Sequence, residues 1–190
     1  MDLAALDRLL FRDVYDAPLP RIPAELVTHV ATRGGVWLVT GILLAVLGTG
    51  RHRRTGLALC AGLVAHVLLI ETLLKEAVAR ERPYLALGLE LRDTFLREES
   101  FSFPSGHSAA SFLAAWVLGA TYPRLRKPLL ALAALVAVSR VHLGAHWPSD
   151  VAAGAFAGLA LGVVLVRLFR LGTPPAAADA AAPPPAPLPL

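Results

Sequence analysis

Charged residues and cysteine are both scarce in this chain. Only 17% of its 190 residues are charged, whereas 56% are hydrophobic, and this balance excludes an ordinary soluble domain. Cys60 is the single cysteine, so one chain can form neither an internal disulfide nor a cysteine-based metal site. The first residues also lack the basic region, apolar stretch and small-residue cleavage site of a signal peptide, and we expect no cleavage. The composition therefore indicates a membrane protein.

The excess of basic residues is explained better by membrane orientation than by nucleic acid binding. The formal net charge is +4, but the Lys and Arg residues stand between apolar runs and do not form one solvated block. We therefore expect the lipid bilayer as a partner and no nucleic acid. The oligomeric state is left open.

Five apolar runs predict an all-α fold, a polytopic membrane helix bundle with about five transmembrane helices. Several runs are shorter than the roughly 20 residues that cross a hydrocarbon core of about 30 Å, so flanking residues are expected to complete them. The last run has glycine at every fourth position, which permits close helix packing, although glycine facing lipid is an alternative. The runs are 36–50, 55–74, 108–122, 129–143 and 151–171.

The two ends of the chain differ from this membrane-embedded domain, predicted at 34–171. Residues 2–16 carry leucine and valine at helical spacing, which predicts an interfacial amphipathic helix within an N-terminal segment 1–33; an ordinary surface helix is the alternative. Residues 172–190 are Ala and Pro with one charge, so we expect a disordered tail.

Short basic connections predict the orientation. The first and third connections and the end of the last span carry Lys and Arg without acidic neighbours, so these ends are predicted to be cytoplasmic. The segments that carry the motifs described next are separated by an even number of crossings, so they share one side, predicted to be extracytoplasmic at the inner (plasma) membrane. The basic residues are Arg51, Arg53, Arg54, Arg124, Arg126, Lys127, Arg167 and Arg170.

Ionisable side chains beside the apolar runs are costly and indicate function. Lys75 and Arg82 are seven residues apart, close to two helical turns, so we predict that both leave one helix face just before Pro83 ends the helix. Arg suits bidentate phosphate contact, and Lys adds a compact charge. The alternative is snorkelling of a cation at a helix end, as we expect for Arg80.

A Pro-Ser-Gly-His sequence at 104–107 directly precedes the third run. We expect it to begin that helix, so that free backbone N–H groups form an anion cradle. Gly106 would allow close approach, Ser105 would add a hydroxyl donor, and His107 would stand beside the anion. In isolation such a sequence is more often a simple turn.

Ser-Arg at 139–140 is followed by His146 and, four residues later, by Asp150. An acidic residue at this spacing can reach an imidazole across the first turn of a helix and stabilise its charged form. Arg140 adds a third cation, while His142 is expected to be packing or interfacial. With Asp150 as the only obvious acid, the pocket would be net positive, which suits phosphate and disfavours a divalent metal, so we expect no metal and no cofactor.

At these residues the chain closely resembles the type 2 phosphatidic acid phosphatase family, which shares its active site with vanadium-dependent haloperoxidases. The family pattern is Lys-x6-Arg-Pro, Pro-Ser-Gly-His and Ser-Arg-x5-His-x3-Asp, and all three blocks are present at 75–83, 104–107 and 139–150. The flanking runs fit the family's helical core, and only the two ends of the chain fall outside.

The resemblance implies roles for the motif residues. His146 would be the nucleophile that forms a phosphohistidine, oriented and charged by Asp150, and His107 would protonate the leaving oxygen. The spacing alone does not assign the two histidines, although the nearby Asp150 favours His146. The resemblance implies that the phosphoryl oxygens are held by Lys75, Arg82, Ser105, Gly106 and Arg140.

The expected substrate is a membrane lipid phosphate or diphosphate, because a site at the membrane edge can receive a headgroup while the tail stays in the bilayer. Undecaprenyl diphosphate is slightly favoured over phosphatidylglycerophosphate or phosphatidate. A lipid phosphotransferase that passes the phosphate to a sugar or lipid hydroxyl is the alternative, ahead of a haloperoxidase or a non-catalytic transporter. We expect the loop 84–103 to shape headgroup choice.

Overall fold

The structure is a computed structural model that describes residues 2–18, 20–30, 34–92 and 100–171. Within these ranges every regular element is helical, as the all-α prediction requires. The predicted disordered tail at 172–190 lies outside the described residues. The elements are α1 (Leu3–Tyr15), α2 (Arg21–Val30), α3 (Gly35–Leu47), α4 (Gly50–His66), a π-helical segment (Val67–Leu74), α5 (Lys75–Val78), α6 (Pro83–Ala86), α7 (Gly106–Thr121), α8 (Pro123–His142) and α9 (Pro148–Leu168).

Helix α7 lies at the centre and packs against α4, α8 and α9. Its buried face contributes Leu113 and Val117 to the main apolar core, where Leu59 of α4 and Leu165 of α9 meet them. Thirteen of the 16 residues of α7 are buried, which is why the beginning of this helix is held firmly inside the molecule.

Glycines of α9 allow α7 and α9 to approach closely. A Cβ on Gly154 would overlap the Ser105 carbonyl oxygen, and a Cβ on Gly158 would overlap that of Ala109. Both glycines are buried and face α7. The packing interpretation of this glycine series is therefore confirmed over lipid exposure.

The basic residues assigned to short connections lie inside helices instead. Arg53 and Arg54 belong to the first turns of α4, and Arg124 to the first turn of α8. These helices extend further than predicted because their connections shrink to one or two residues and because Pro123 occupies the first helical position, where its missing N–H costs nothing. Arg51 donates to the Ala120 and Thr121 carbonyls at the end of α7 (2.6 and 3.1 Å).

Helix α1 docks on the bundle through a different face from the one that the leucine spacing marks. Phe11 is fully buried and packs on Trp147, with ring centroids 5.3 Å apart. Leu6 and Leu10 stay exposed, so the leucine face remains open for the predicted membrane interface. His142 Nδ1 donates to the Val14 carbonyl (3.0 Å), which confirms the packing role of this histidine.

Two helical stretches of the described residues are long and apolar enough to cross a membrane, Gly50–Ala86 and Pro148–Leu168. Helix α3 (Gly35–Leu47) is apolar but shorter. Helices α3, α4, α7, α8 and α9 correspond in order to the five apolar runs. The count of five membrane crossings stays a prediction.

Candidate active site

The three sequence motifs meet at one end of the helical core, and all eight predicted site residues are buried there. Lys75 begins α5, Arg82 precedes α6, Ser105 caps α7, and Arg140 lies in the last turn of α8. The remaining four are Gly106 and His107 in the first turn of α7, His146 in the loop before α9, and Asp150 in the first turn of α9.

The prediction that Lys75 and Arg82 share one helix face is wrong. Helix α5 ends at Val78, and Ala79 takes the left-handed conformation with φ 49°. Arg82 is extended (φ −75°, ψ 149°), as expected for a residue before proline, because the proline ring disfavours the helical conformation there.

The two cations converge nonetheless, because both bind Ser100. Lys75 Nζ donates to Ser100 Oγ (3.1 Å), and Arg82 donates through Nε to the Ser100 carbonyl (2.6 Å) and through Nη2 to its hydroxyl (3.2 Å). Arg82 also donates to the carbonyls of Phe101 and Ala145 (both 3.0 Å). The planar guanidinium is thus held in one orientation by several acceptors, from both the 84–103 loop and the His146 loop.

The beginning of α7 forms as the sequence predicts. Ser105 is the N-cap, and its hydroxyl accepts from the Ser108 amide (3.4 Å). The Ser105 amide donates to the Asp150 carbonyl (3.0 Å), and Ser108 Oγ donates to the Val151 carbonyl (2.8 Å). These bonds tie the cradle of α7 to the first turn of α9, so His107 and Asp150 belong to two directly joined helix ends.

A second acidic residue, which the sequence interpretation missed, lies at this cradle. Glu71 of the π-helical segment pairs with Lys75 (Oε2 to Nζ, 2.8 Å), and a Cβ on Gly106 would overlap its Oε1. His66 Nε2 lies 3.9 Å from Glu71 Oε1 and donates to the Gly106 carbonyl (3.1 Å). The expectation that Asp150 is the only acid of the site is therefore wrong. Glu71 was missed because it lies inside the apolar run 55–74.

Two hydrogen bonds define the chemistry of the His146 ring. Nδ1 lies 2.8 Å from the Ser102 carbonyl, which can only accept, so Nδ1 carries the proton. Arg82 Nη1 lies 3.3 Å from Nε2 and can only donate, so Nε2 presents a lone pair. His146 is thus held as the tautomer with the proton on Nδ1 and the lone pair on Nε2, directed toward Arg82.

Asp150 lies beside the His146 ring, as the four-residue spacing predicts. Its Oδ2 is 3.7 Å from His146 Nδ1 and also accepts from the Trp147 amide (2.8 Å). The Ser102 carbonyl is the nearer partner of Nδ1, so the ring contacts both groups. At 3.7 Å in a fully buried setting, Asp150 still stabilises positive charge on the ring.

Arg80, expected to snorkel at a helix end, binds the carboxylate of Asp150 instead. Its Nη1 donates to Asp150 Oδ1 (2.6 Å), and its guanidinium lies over the Trp147 ring, 5.2 Å from the centroid. The two residues are 70 apart in sequence, so no local spacing points to the pair.

Arg140 supports the His146 loop through its backbone. Its carbonyl accepts from the amides of Ala145 (3.1 Å) and His146 (3.2 Å), while the side chain is fully buried. The described site thus combines four cations (Lys75, Arg80, Arg82 and Arg140), a helix N-terminus and a histidine whose Nε2 lone pair is directed toward Arg82, against the carboxylates of Glu71 and Asp150. This arrangement can bind a tetrahedral anion and attack it.

Comparison with known proteins agrees with this chemistry. Residues 55–173 match the family model of the PAP2 superfamily. The chain is 34% identical over 151 residues to the decaprenylphosphoryl-5-phosphoribose phosphatase of Mycobacterium tuberculosis. This alignment covers 79% of this chain and 81% of the relative. It is 32% identical to the undecaprenyl-diphosphatase of Sulfolobus acidocaldarius, over 72% of this chain and 65% of that one.

The fold is also similar to a solved structure, a transmembrane PAP2-type phosphatidylglycerolphosphate phosphatase from Bacillus subtilis. The TM-score is 0.70 at 26% identity, and the alignment covers 88% of this chain and 86% of the other. The family match spans well over half of the chain and contains all three motifs. The chain therefore belongs to the PAP2 superfamily and is a phosphatase.

Proposed function

We propose that this protein is an integral membrane phosphatase that removes phosphate from a lipid phosphomonoester or diphosphate through a phosphohistidine on His146, without a metal ion. The observation that carries this proposal is the state of the His146 ring. Its Nδ1–H is committed to the Ser102 carbonyl, and its Nε2 lone pair lies beside the guanidinium of Arg82. A nucleophile next to a phosphate-binding cation is what phosphoryl transfer requires.

In the first step His146 Nε2 attacks phosphorus and forms an N–P bond, while the bond from phosphorus to the leaving oxygen breaks. His107, at the N-terminus of α7, gives a proton to that oxygen. In the second step His107 takes a proton from water, the water oxygen attacks phosphorus, and the N–P bond breaks to release inorganic phosphate.

The surrounding groups stabilise the charge that moves in these steps. Lys75, Arg82 and Arg140 bind the phosphoryl oxygens, together with the backbone at Gly106 and the hydroxyl of Ser105. Asp150 offsets the positive charge that His146 gains when its Nε2 bonds to phosphorus.

We propose a polyprenyl-linked phosphate as the substrate class, with undecaprenyl diphosphate favoured over phosphatidylglycerophosphate or phosphatidate. Two of the relatives named above are named for polyprenyl lipids. We also propose that the site faces the extracytoplasmic side of the inner membrane, since Arg53, Arg54 and Arg124 gather at the opposite end of the bundle.

The experiment is a panel of these lipids, assayed in detergent with EDTA for release of inorganic phosphate. We expect release with EDTA present and a labelled phosphohistidine on His146 in acid-free peptide mass spectra. Label trapped on His107, or activity that needs added metal, would overturn the mechanism. Label that appears on an acceptor lipid rather than as free phosphate would establish the phosphotransferase alternative.

A further inference from the structure

The N-terminal helix α1 carries a carboxylate into the interior of the protein. Asp7 is 3% exposed, whereas Asp13 on the same helix is exposed. Burial of a charged carboxylate is costly unless ion pairs and hydrogen bonds compensate for it. The partners of Asp7 therefore define what this helix does.

Both oxygens of Asp7 are bound by groups from the catalytic end of the bundle. Oδ2 accepts from Arg80 Nη2 (2.6 Å) and from the hydroxyl of Ser149 (2.5 Å), and Oδ1 accepts from the Ser149 amide (2.8 Å). Ser149 is in the first turn of α9, directly before Asp150. A residue near the chain start thus fixes the backbone next to the carboxylate of the site.

Arg80 joins the two carboxylates. One guanidinium nitrogen, Nη2, binds Asp7, while the other, Nη1, binds Asp150 Oδ1 (2.6 Å) and Ser149 Oγ (2.7 Å). Because the guanidinium is planar and its N–H directions are fixed, holding one edge orients the other.

We propose that Asp7 is a positioning residue of the active site, which sets the place and the charge of Asp150 through Arg80 and Ser149. Asp7 fixes the orientation of the Arg80 guanidinium. It also offsets part of the positive charge of Arg80, so that Arg80 neutralises less of the negative charge that Asp150 presents to His146. The inference rests on the proposed phosphohistidine function, because Asp150 matters only if charge develops on His146.

The test compares Asp7→Asn with Asp13→Asn, the same chemical change at an exposed position of the same helix. For Asp7→Asn we expect kcat for lipid phosphate release to fall roughly tenfold, the size of one lost charged hydrogen bond. KM should stay within about twofold, since Asp7 does not touch the substrate. Asp13→Asn should behave as wild type.

A double mutant separates positioning from folding. Because the Ser149 contacts of Asp7 remain when Arg80 is replaced, Asp7→Asn should still lower kcat in an Arg80→Met background, but clearly less than in wild type. Ser149→Ala, which removes one hydroxyl without altering any charge, is a milder second variant with an expected loss of about threefold. The inference is overturned if Asp7→Asn leaves kcat within twofold of Asp13→Asn, or lowers it equally in both backgrounds.

Amide hydrogen exchange tests the inference without any turnover. The Trp147 amide donates to Asp150 Oδ2 (2.8 Å), so it reports on how firmly Asp150 is held. We expect faster exchange at Trp147 in Asp7→Asn than in Asp13→Asn, and equal exchange would overturn the inference. If wild type releases no phosphate from any lipid of the panel, the proposed function fails, and this exchange measurement alone decides the role of Asp7.

Discussion

Replacement of Asp150 by Asn should slow turnover by about 30-fold to 1,600-fold while the protein stays folded. The carboxylate lies 3.7 Å from His146 Nδ1, and at an effective dielectric constant of about 20 a full charge on the ring would interact with it by about 4.5 kcal/mol. In the proposed mechanism the ring gains between half of that charge and all of it as the N–P bond forms. The expected loss is therefore about 2–4.5 kcal/mol, at about 1.4 kcal/mol for each factor of ten in rate.

The assay is the steady-state release of phosphate from the best lipid of the panel, with kcat and KM determined separately. Asn keeps the size of the side chain but has one acceptor oxygen for the two donors that Asp150 binds, the Trp147 amide and Arg80, so the thermal unfolding midpoint in detergent should fall, with the protein still folded at the assay temperature. The exposed Asp13→Asn variant is the control. A folded Asp150→Asn protein with kcat within threefold of wild type would refute the charge argument.

Glu71→Gln should strengthen inhibition by inorganic phosphate or orthovanadate about threefold to tenfold, because the carboxylate that pairs with Lys75 competes with the anion for this cation. The control is Glu76→Gln, a change at an exposed position of α5. An inhibition constant that Glu71→Gln leaves unchanged would contradict this role. Gly158→Val should lower the free energy of unfolding by about 1–3 kcal/mol or more, since its Cβ would overlap the Ala109 carbonyl. The unfolding midpoint checks this against Gly35→Ala, where a Cβ meets nothing within 4 Å, and equal midpoints would show that α7 and α9 are not closely packed there.

The helices and the motif residues were accessible from the sequence because both leave local signals. Apolar runs marked the core helices, and the Pro-Ser-Gly-His sequence correctly marked the N-terminus of α7. One local rule was wrong: the spacing of Lys75 and Arg82 indicated one continuous helix, but the helix ends at Val78 and Ala79 takes the left-handed conformation. The preference of a residue before proline for extended backbone was the available warning.

The partners that orient the site could not be predicted from the sequence for two physical reasons. The acceptor for His146 Nδ1 is the Ser102 carbonyl, and a backbone carbonyl is present at every residue, so no side-chain pattern marks it. Arg80 finds Asp7 and Asp150 across separations of 73 and 70 residues, where nothing but the fold brings them together.

The winding of the π-helical segment sets the relative directions of His66 and Lys75, the residues directly before and after it. His66 and Lys75 are nine positions apart, which in a helix of 3.6 residues per turn is two and a half turns and would send them to opposite sides. The wider turns of Val67–Leu74 let both approach the same carboxylate, Glu71. If Val67–Leu74 wound as an ordinary α-helix of the same length, His66 would therefore lie half a turn away from Lys75 although every functional side chain remained in the chain.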